Sequence, residues 1–288
     1  LGGSYLYFSR PNSANQAAQA DAMRADNLPA AEDTAPNQPE KLADPANLRG
    51  AFERSDDLFT RARMHSNSND PESSWLVAKI VDYCSPFGMN PKGYISQYEL
   101  MLSLVESEVK RSAFKAAHDR VISRCGGFDN PQRTSTFVAN ADLVLKRKAA
   151  RAGSLAAEAA LLSRKAPMQA DLEYVDGLLG RVRASRDPDA FLAVSTAMGL
   201  DASGKEEIFG RVSGSTSSMY AWQLAACSIG LNCNSNGALM TQYCSAGGIC
   251  EAAPNLESLI FNHLVTRPEE VEIRRMTNEI VSNIINSK

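Results

Sequence analysis

The sequence contains little of what nucleic-acid-binding and membrane-spanning proteins require. Aromatic residues make up only 7% of its 288 residues, and the formal net charge is -3. It therefore offers neither the stacking surface nor the basic face that nucleic-acid recognition uses. It also has no run of about 20 apolar residues, the length that a helix needs to cross a bilayer. These absences argue against a nucleic-acid partner and exclude a complete transmembrane span within this sequence.

The common catalytic and metal-binding signatures are absent too. None of the three histidines, His65, His118 and His263, stands in a metal-ligand spacing such as His-Glu-x-x-His, and we expect each to have a structural role. The cysteines form no Cys-x-x-Cys pair, which argues against zinc and against thioredoxin-like redox chemistry. Gly-rich phosphate loops and a Gly-x-Ser-x-Gly elbow are missing. We predict no cofactor, no metal ion and no catalytic residue.

Acid catalysis by paired carboxylates is the one catalytic mechanism that the sequence still allows. Two groups of acidic residues stand close together in the sequence: Glu53, Asp56 and Asp57, and Glu99, Glu106 and Glu108. Paired acids serve glycosidases when they flank a cleft, but acidic groups on helices are more often a solvated face. The basic run Lys146-Arg147-Lys148 with Arg151 is likewise expected on a solvated helix face.

Six cysteines are the most informative residues present. An even number is typical of disulfides formed in an oxidising compartment, and a chain this long can build a core without them. The pattern Cys-Ser-x-Gly-x-x-Cys occurs twice, at 227–233 and at 244–250, each time after a short apolar segment. We favour the local bridges Cys227–Cys233 and Cys244–Cys250, because the Gly permits a chain reversal. Cross-pairing between the two copies stays as the alternative.

The apolar pattern is helical from about residue 48 onward. Asp70-Pro71, Asn130-Pro131 and Asp187-Pro188 are typical helix starts, in which the first residue caps the helix and Pro takes its first turn. Pro268 opens a last helix with Val271, Ile273, Met276, Ile280 and Ile284 along one stripe. Alternating β-branched runs are nearly absent. The sequence therefore predicts an all-α fold, an irregular array of antiparallel helix hairpins stapled by disulfides, with a solenoid as one possible arrangement.

This layout predicts the first disulfide. If 72–84, about 95–108 and about 110–125 are consecutive antiparallel helices, Cys84 and Cys125 end at the same end of the group. A bridge needs Cα atoms within about 7 Å, which this arrangement provides. Closing a loop of about forty residues contributes about 4 kcal/mol in the chain-entropy model.

Three segments follow from composition. Residues 1–11 have the aromatic residues and the Arg expected where an apolar segment leaves a bilayer, and we interpret them as the remnant of a signal or anchor segment. Residues 12–47 are rich in Ala, Asn, Gln, Asp and Pro and predict a flexible linker. Residues 48–288 form the helical domain, with a candidate sub-boundary near 165–185.

Two resemblances to known families accompany these motifs. The stretch Ala149–Leu162, with a Gly between two Ala-rich segments, resembles a Sel1-like or tetratricopeptide helix-turn-helix. Residues 50–262 resemble uncharacterised exported proteins of Gram-negative bacteria, through Asp82-Tyr83-Cys84, Arg124-Cys125, Asp187-Pro188-Asp189-Ala190-Phe191-Leu192 and the Cys-rich tail. The resemblance implies an exported all-helical protein and brings no functional residue with it.

A helical module on a linker is a common binding architecture. We therefore expect a periplasmic scaffold or accessory protein, anchored to the inner membrane by its N-terminal segment and binding a protein partner in the cell envelope. The alternative is a cell-envelope hydrolase of glycan or peptidoglycan that uses an acidic pair. A non-catalytic role is favoured.

Overall fold

The computed structural model of the chain describes residues 44–129 and 141–286, and in this part it contains fourteen helices and no strand. The all-α prediction is confirmed. The helices are α1 Pro45–Arg54, α2 Leu58–His65, α3 Pro71–Gly88, α4 Pro91–Leu104, α5 Glu108–Cys125, α6 Ala141–Ala152, α7 Leu155–Ser163, α8 Leu172–Ala184, α9 Pro188–Ser195, α10 Glu206–Phe209, α11 Thr216–Ser228, α12 Ala238–Ser245, α13 Leu256–Leu259, which continues as a π-turn over Ile260–Leu264, and α14 Arg267–Asn286.

The predicted division into an anchor remnant, a linker and a helical domain stays a prediction. The predicted anchor remnant, the linker up to residue 43 and the predicted helix start at Asn130-Pro131 lie outside the described residues. Helix α1 begins at Pro45, three residues before the predicted start of the domain. The candidate sub-boundary at 165–185 includes α8, whose Leu178 and Leu179 are buried in the large core, and it stays a prediction.

Asp-Pro pairs start helices as predicted. The Asp70 carboxylate accepts from the Ser73 backbone N–H at 2.7 Å, and Asp187 accepts from the Asp189 N–H at 3.0 Å. Such caps satisfy amides that have no partner inside the helix. Pro71 and Pro188 take the first helical position, where Pro costs no hydrogen bond.

The last helix buries the predicted stripe with one exception. Ile273, Met276, Ile280 and Ile284 are buried in the large core, but Val271 is 69% exposed, so its assignment to the stripe was wrong. Val271 precedes Ile273 by two residues, about 200° around a helix with 3.6 residues per turn, and it therefore faces away from the core.

The described residues pack around two main cores. The larger core joins α6, α7, α8, α9, α11, α12 and α14, and Trp222 and Phe191 are among its largest fully buried side chains. The smaller core joins α1, α2, α3 and α5 around Phe52, Phe87 and Phe128. Helix α3 faces both, because Trp75 and Ala78 belong to the first core and Leu76 and Ile80 to the second.

All three favoured disulfides are present, and the described chain contains no free cysteine. Cys84–Cys125 links α3 to the end of α5 with Cα atoms 5.5 Å apart. The two local bridges close loops at the ends of α11 and α12. In the first loop the motif Gly, Gly230, has a φ of 113°, whereas in the second the left-handed residue is Gly248, one position after the motif Gly.

The segment Ala149–Leu162 lies in two consecutive helices joined by a tight turn. Helices α6 and α7 pack against each other, and Gly153 makes the turn between them with a φ of 106°. Ser154 then caps α7 by accepting from the Ala157 N–H. A solenoid would need this unit to repeat with a fixed period, and that arrangement stays a prediction.

Candidate functional site

The cysteines singled out by the sequence hold helix ends together. Cys84 and Cys125 are fully buried in the smaller core. Cys233 accepts the Leu256 N–H on its carbonyl oxygen at 2.9 Å and so ties the first local loop to α13. Cys244 packs against the aromatic side chains Tyr98 and Phe114. Each bridge therefore fixes a contact between elements.

The acidic groups noted in the sequence do not converge on one cleft. Glu99, Glu106 and Glu108 are exposed, and Glu108 forms a surface pair with Arg111 at 2.8 Å. Asp57 caps α2 by accepting from the Thr60 N–H at 3.0 Å. Glu53 lines one cavity and Glu108 lines another, and both cavities are described below.

A different acidic cluster forms around the start of α3 and the start of α9. Glu72 of α3 lies close enough to Asp187 and Asp189 for their charges to affect it. Burial, followed by these two negative charges, raises the pKa of Glu72 to about 7. Burial and the neighbouring Asp189 also raise the pKa of Asp187. No local sequence pattern indicates this cluster, because Glu72 is more than 110 residues from Asp187 and Asp189.

Two cations hold the cluster together. Lys79 binds Asp189 at 2.6 Å, and Arg49 binds Asp187 at 3.2 Å. The Lys79 ammonium also lies 4.6 Å from the centre of the Phe52 ring, a cation–π distance. These contacts join α1, α3 and α9 through polar groups at the border of both cores.

Lys146 is buried, so the prediction that the whole basic run lies on a solvated helix face was wrong for this residue. Its side chain is only 4% exposed, and its ammonium lies 3.1 Å from Asp82 and 3.5 Å from Asp142. Its neighbours Arg147 and Lys148 are more exposed, as a helix that packs one face against α3 requires. A buried lysine needs paired carboxylates to remain charged, and only the tertiary structure supplies Asp82.

Next to these ion pairs is a cleft of about 300 Å³, which we call the polar cleft. It lies where α1, α3, α6, α7, α9, α11 and α12 meet. The side chains that carry its chemistry are Glu53, Lys79, Asp82, Lys146, Asp189, Gln223 and Gln242. Asp82 is 51% exposed and marks its opening to solvent.

The histidines have structural roles in two cases. His65 Nδ1 lies 3.1 Å from the Ser73 hydroxyl. His118 is buried, with its Nδ1 2.8 Å from the Tyr94 hydroxyl and its ring stacked on Tyr98. Burial lowers the pKa of His118. Its aromatic neighbours hold α4 against α5.

Helix α4 carries an unusual amount of exposed apolar surface. Leu100, Met101 and Leu104 are 61%, 45% and 65% exposed, and Val109 at the start of α5 is 61% exposed. We call these four residues the apolar corner. The main contacts of α4 are with α3 and α5 alone among the described elements, so its outer face is uncovered.

A groove of about 600 Å³ continues from the apolar corner. Val109 lines it, together with Ala113 and Ala116 of α5 and with Met240 and Ile249. Lys110 and Glu251 form an ion pair of 2.6 Å between two of its walls. The corner and the groove together form a continuous accessible surface with several apolar side chains, and exposed apolar patches mark interaction sites.

Within the described residues, no group of three His, Cys, Asp or Glu side chains is arranged to hold a metal ion. None of the helices in this part of the chain combines the length and the apolar character needed to span a bilayer.

Comparison with protein-family models, with curated proteins and with solved structures finds no match to this chain. The structure itself still indicates the kind of compartment. Three disulfides and no free cysteine in the described part indicate an oxidising environment, extracellular or periplasmic.

Proposed function

We propose that this protein is a helical binding module of the periplasm and that it contacts a protein partner of the cell envelope through the apolar corner. The observation that carries the proposal is the uncovered face of α4. Leu100 and Leu104 are one helical turn apart and each is more than 60% exposed. Apolar side chains presented together at this spacing are typical of helices that bind another protein.

The way α4 is fixed also supports a binding role. Its inner face is held by specific contacts, because Tyr94 bonds His118 and the Tyr98 hydroxyl donates to Asp119 at 3.2 Å. The helix therefore presents its outer face in a defined orientation. A preformed surface loses less conformational entropy on binding than a disordered one.

Two observations support the proposed compartment. An oxidising environment favours the three bridges, and the periplasm is the oxidising compartment of the Gram-negative envelope that the sequence resemblance suggests. The predicted membrane tether belongs to the same proposal.

The test is site-directed photo-crosslinking in intact cells. A photoreactive phenylalanine analogue replaces Leu100 or Leu104, and the matched control carries it at Leu172, which is equally exposed at 63% but lies on α8. We expect one discrete adduct from the two α4 sites and none from Leu172. Mass spectrometry of the adduct identifies the partner.

Three outcomes would contradict the proposal. Adducts of equal yield from Leu172, or no adduct from either α4 site, would remove the apolar corner as the contact surface. An adduct between two copies of this chain would replace the envelope partner by self-association.

The alternative function is a cell-envelope hydrolase, and Glu72 is the observation that favours it. A carboxyl with a pKa of about 7 can donate a proton at neutral pH, as a general acid must. Asp187 would be the second carboxylate. The alternative requires soluble fragments to be released from purified peptidoglycan by the protein and not by its Glu72→Gln variant. The binding proposal expects no release from either protein.

A further inference from the structure

The cations of the polar cleft are already neutralised within the protein. Lys79 pairs with Asp189 at 2.6 Å, Lys146 with Asp82 at 3.1 Å, and Arg164 with Asp142 at 3.2 Å. An anionic ligand would meet Glu53, Asp82 and Asp189 at the cleft wall, and a cationic ligand would meet Lys79 and Lys146. The lining side chains Glu53, Asp82 and Asp189 balance Lys79, Lys146 and Arg164, so the cleft presents no net charge to a ligand.

Two neutral amide side chains in the same cleft, Gln223 and Gln242, have polar atoms with no hydrogen-bond partner among the described residues. The Gln223 side-chain oxygen accepts from the Tyr243 hydroxyl at 2.6 Å, but its amide nitrogen has no hydrogen-bond partner among the described residues. The Gln242 side-chain amide has none there on either atom. Both residues line the cleft, and sheltered polar groups of this kind bind water or a ligand.

Glu53 adds an acceptor to these amides. Its Oε2 accepts from the Asn232 amide and from the Ala238 backbone N–H, both at 3.1 Å. Its Oε1 has no hydrogen-bond partner in the described part of the chain. The cleft therefore offers two donor groups and two acceptor groups that a ligand could use.

The remaining wall is apolar, and the space suits a small molecule. Leu192, Ala193, Leu231 and Leu239 line the cleft beside the polar groups. Its volume of about 300 Å³ is at the lower end of the range for ligand sites. A ligand that fits has neighbouring groups that both donate and accept, an apolar carbon face and no net charge. A neutral sugar meets all three conditions, because its vicinal hydroxyls both donate and accept hydrogen bonds and its ring carbons form an apolar face.

We propose that the polar cleft binds one neutral sugar unit, with its hydroxyl groups on the side chains of Gln223, Gln242 and Glu53 and its carbon face on Leu192 and Leu239. The site lies on a different part of the molecule from the apolar corner, and it does not depend on a protein partner.

The test is a ¹H–¹⁵N NMR titration of the full chain with D-glucose, N-acetyl-D-glucosamine and maltose, each to about 50 mM, a concentration that detects millimolar binding. We expect a saturable shift of the Gln223 and Gln242 side-chain amide resonances with at least one of these sugars. Sodium acetate and ethanolamine serve as the anionic and cationic probes and are expected to cause no saturable shift.

The variant Gln242→Ala is expected to weaken binding about five- to tenfold, the loss of one or two hydrogen bonds. The matched control is Gln97→Ala, an exposed Gln on α4 outside the cleft; its affinity is expected to equal that of the wild type. An unchanged melting temperature of both variants shows that they fold.

The proposal is overturned if none of the three sugars gives a saturable shift, because the free amides would then be satisfied by water alone. It is also overturned if only acetate or only ethanolamine binds, or if Gln242→Ala and Gln97→Ala bind the sugar equally well.

Discussion

Arg124 and Glu158 are buried charged residues whose partners lie outside their own helices. Arg124 is 5% exposed and donates to the backbone carbonyls of Phe52 and Ser55, about 70 residues earlier. Glu158 accepts from Arg181 and from the Tyr174 hydroxyl at 2.6 and 2.8 Å. Removing one partner of such a pair leaves the other buried and unsatisfied, which costs more than the pair contributes.

The partly buried carboxyl of Glu72 makes the stability of the folded protein depend on pH. Its pKa is about 7 in the folded state and 4.5 for the ordinary side chain, so the folded protein binds more protons between these values. Stability is therefore highest below about pH 4.5 for this group and is lost as the pH rises through 7. We expect Glu72→Gln, which cannot ionise, to be more stable than the wild type at pH 8 by about 1 kcal/mol or more.

The measurement is urea unfolding at pH 5 and at pH 8. The control variant is Glu99→Gln on the exposed face of α4, whose stability relative to the wild type should be the same at both pH values. A gain for Glu72→Gln that is no larger at pH 8 than at pH 5 would contradict the prediction.

Helix boundaries depend on local chemistry, and the sequence indicates several of them. Asp70, Asp187 and Ser154 cap helices with their own side chains, and these interactions involve only neighbouring residues. The turn at Gly153 is equally local, because its φ of 106° is a backbone conformation that residues other than Gly rarely adopt.

Two glycine substitutions test this element-scale argument. We expect Gly153→Ala to destabilise the protein by about 1 kcal/mol, since no atom lies within 4 Å of the added Cβ and the cost is that of the backbone alone. Gly180→Ala has equally open space and an ordinary helical φ inside α8. It should stabilise the protein by about 0.5–1 kcal/mol through the unfolded state.

Thermal unfolding of the two variants beside the wild type gives the comparison. Opposite signs are expected. If both variants were destabilised, local backbone conformation would not explain the requirement for Gly153.

The disulfides act on the whole molecule in proportion to the chain they enclose. Cys84–Cys125 spans 41 residues, and Cys227–Cys233 spans 6. The chain-entropy model gives about 4 kcal/mol for the first bridge and about 2 kcal/mol for the second. We expect the double variant Cys84→Ala/Cys125→Ala to lose correspondingly more stability than Cys227→Ala/Cys233→Ala, and the fully buried sulfurs of the first pair add to its loss.

Urea unfolding of both double variants at 25 °C under non-reducing conditions measures the difference. The second double variant is the matched control for loss of a bridge as such. Equal losses would show that the long bridge does not restrict the unfolded chain as the model requires.

The sequence predicted the helical class, the main helix starts and all three disulfide pairs. These features follow from short-range chemistry: Asp-Pro caps, apolar residues at three- and four-residue steps, and cysteines six residues apart across a Gly. The Cys84–Cys125 bridge was the one long-range contact that the sequence predicted, because three consecutive antiparallel helices bring its ends together. The predicted bounds were less accurate, since α3 continues to Gly88 and α4 spans Pro91–Leu104 rather than about 95–108.

Charge placement and the candidate sites depended on the tertiary structure. The sequence gives no sign that Lys146 is buried beside Asp82, that Glu72 faces Asp187, or that Glu53 meets Gln223 and Gln242 in one cleft, since each set comes from helices that are far apart in the chain. By itself the sequence determined the helical class, the Asp-Pro helix caps and the disulfide-bonded state of its cysteines. Only the packing of the helices decided which polar groups are buried and which apolar side chains remain exposed, because burial depends on contacts between helices that are distant in the sequence.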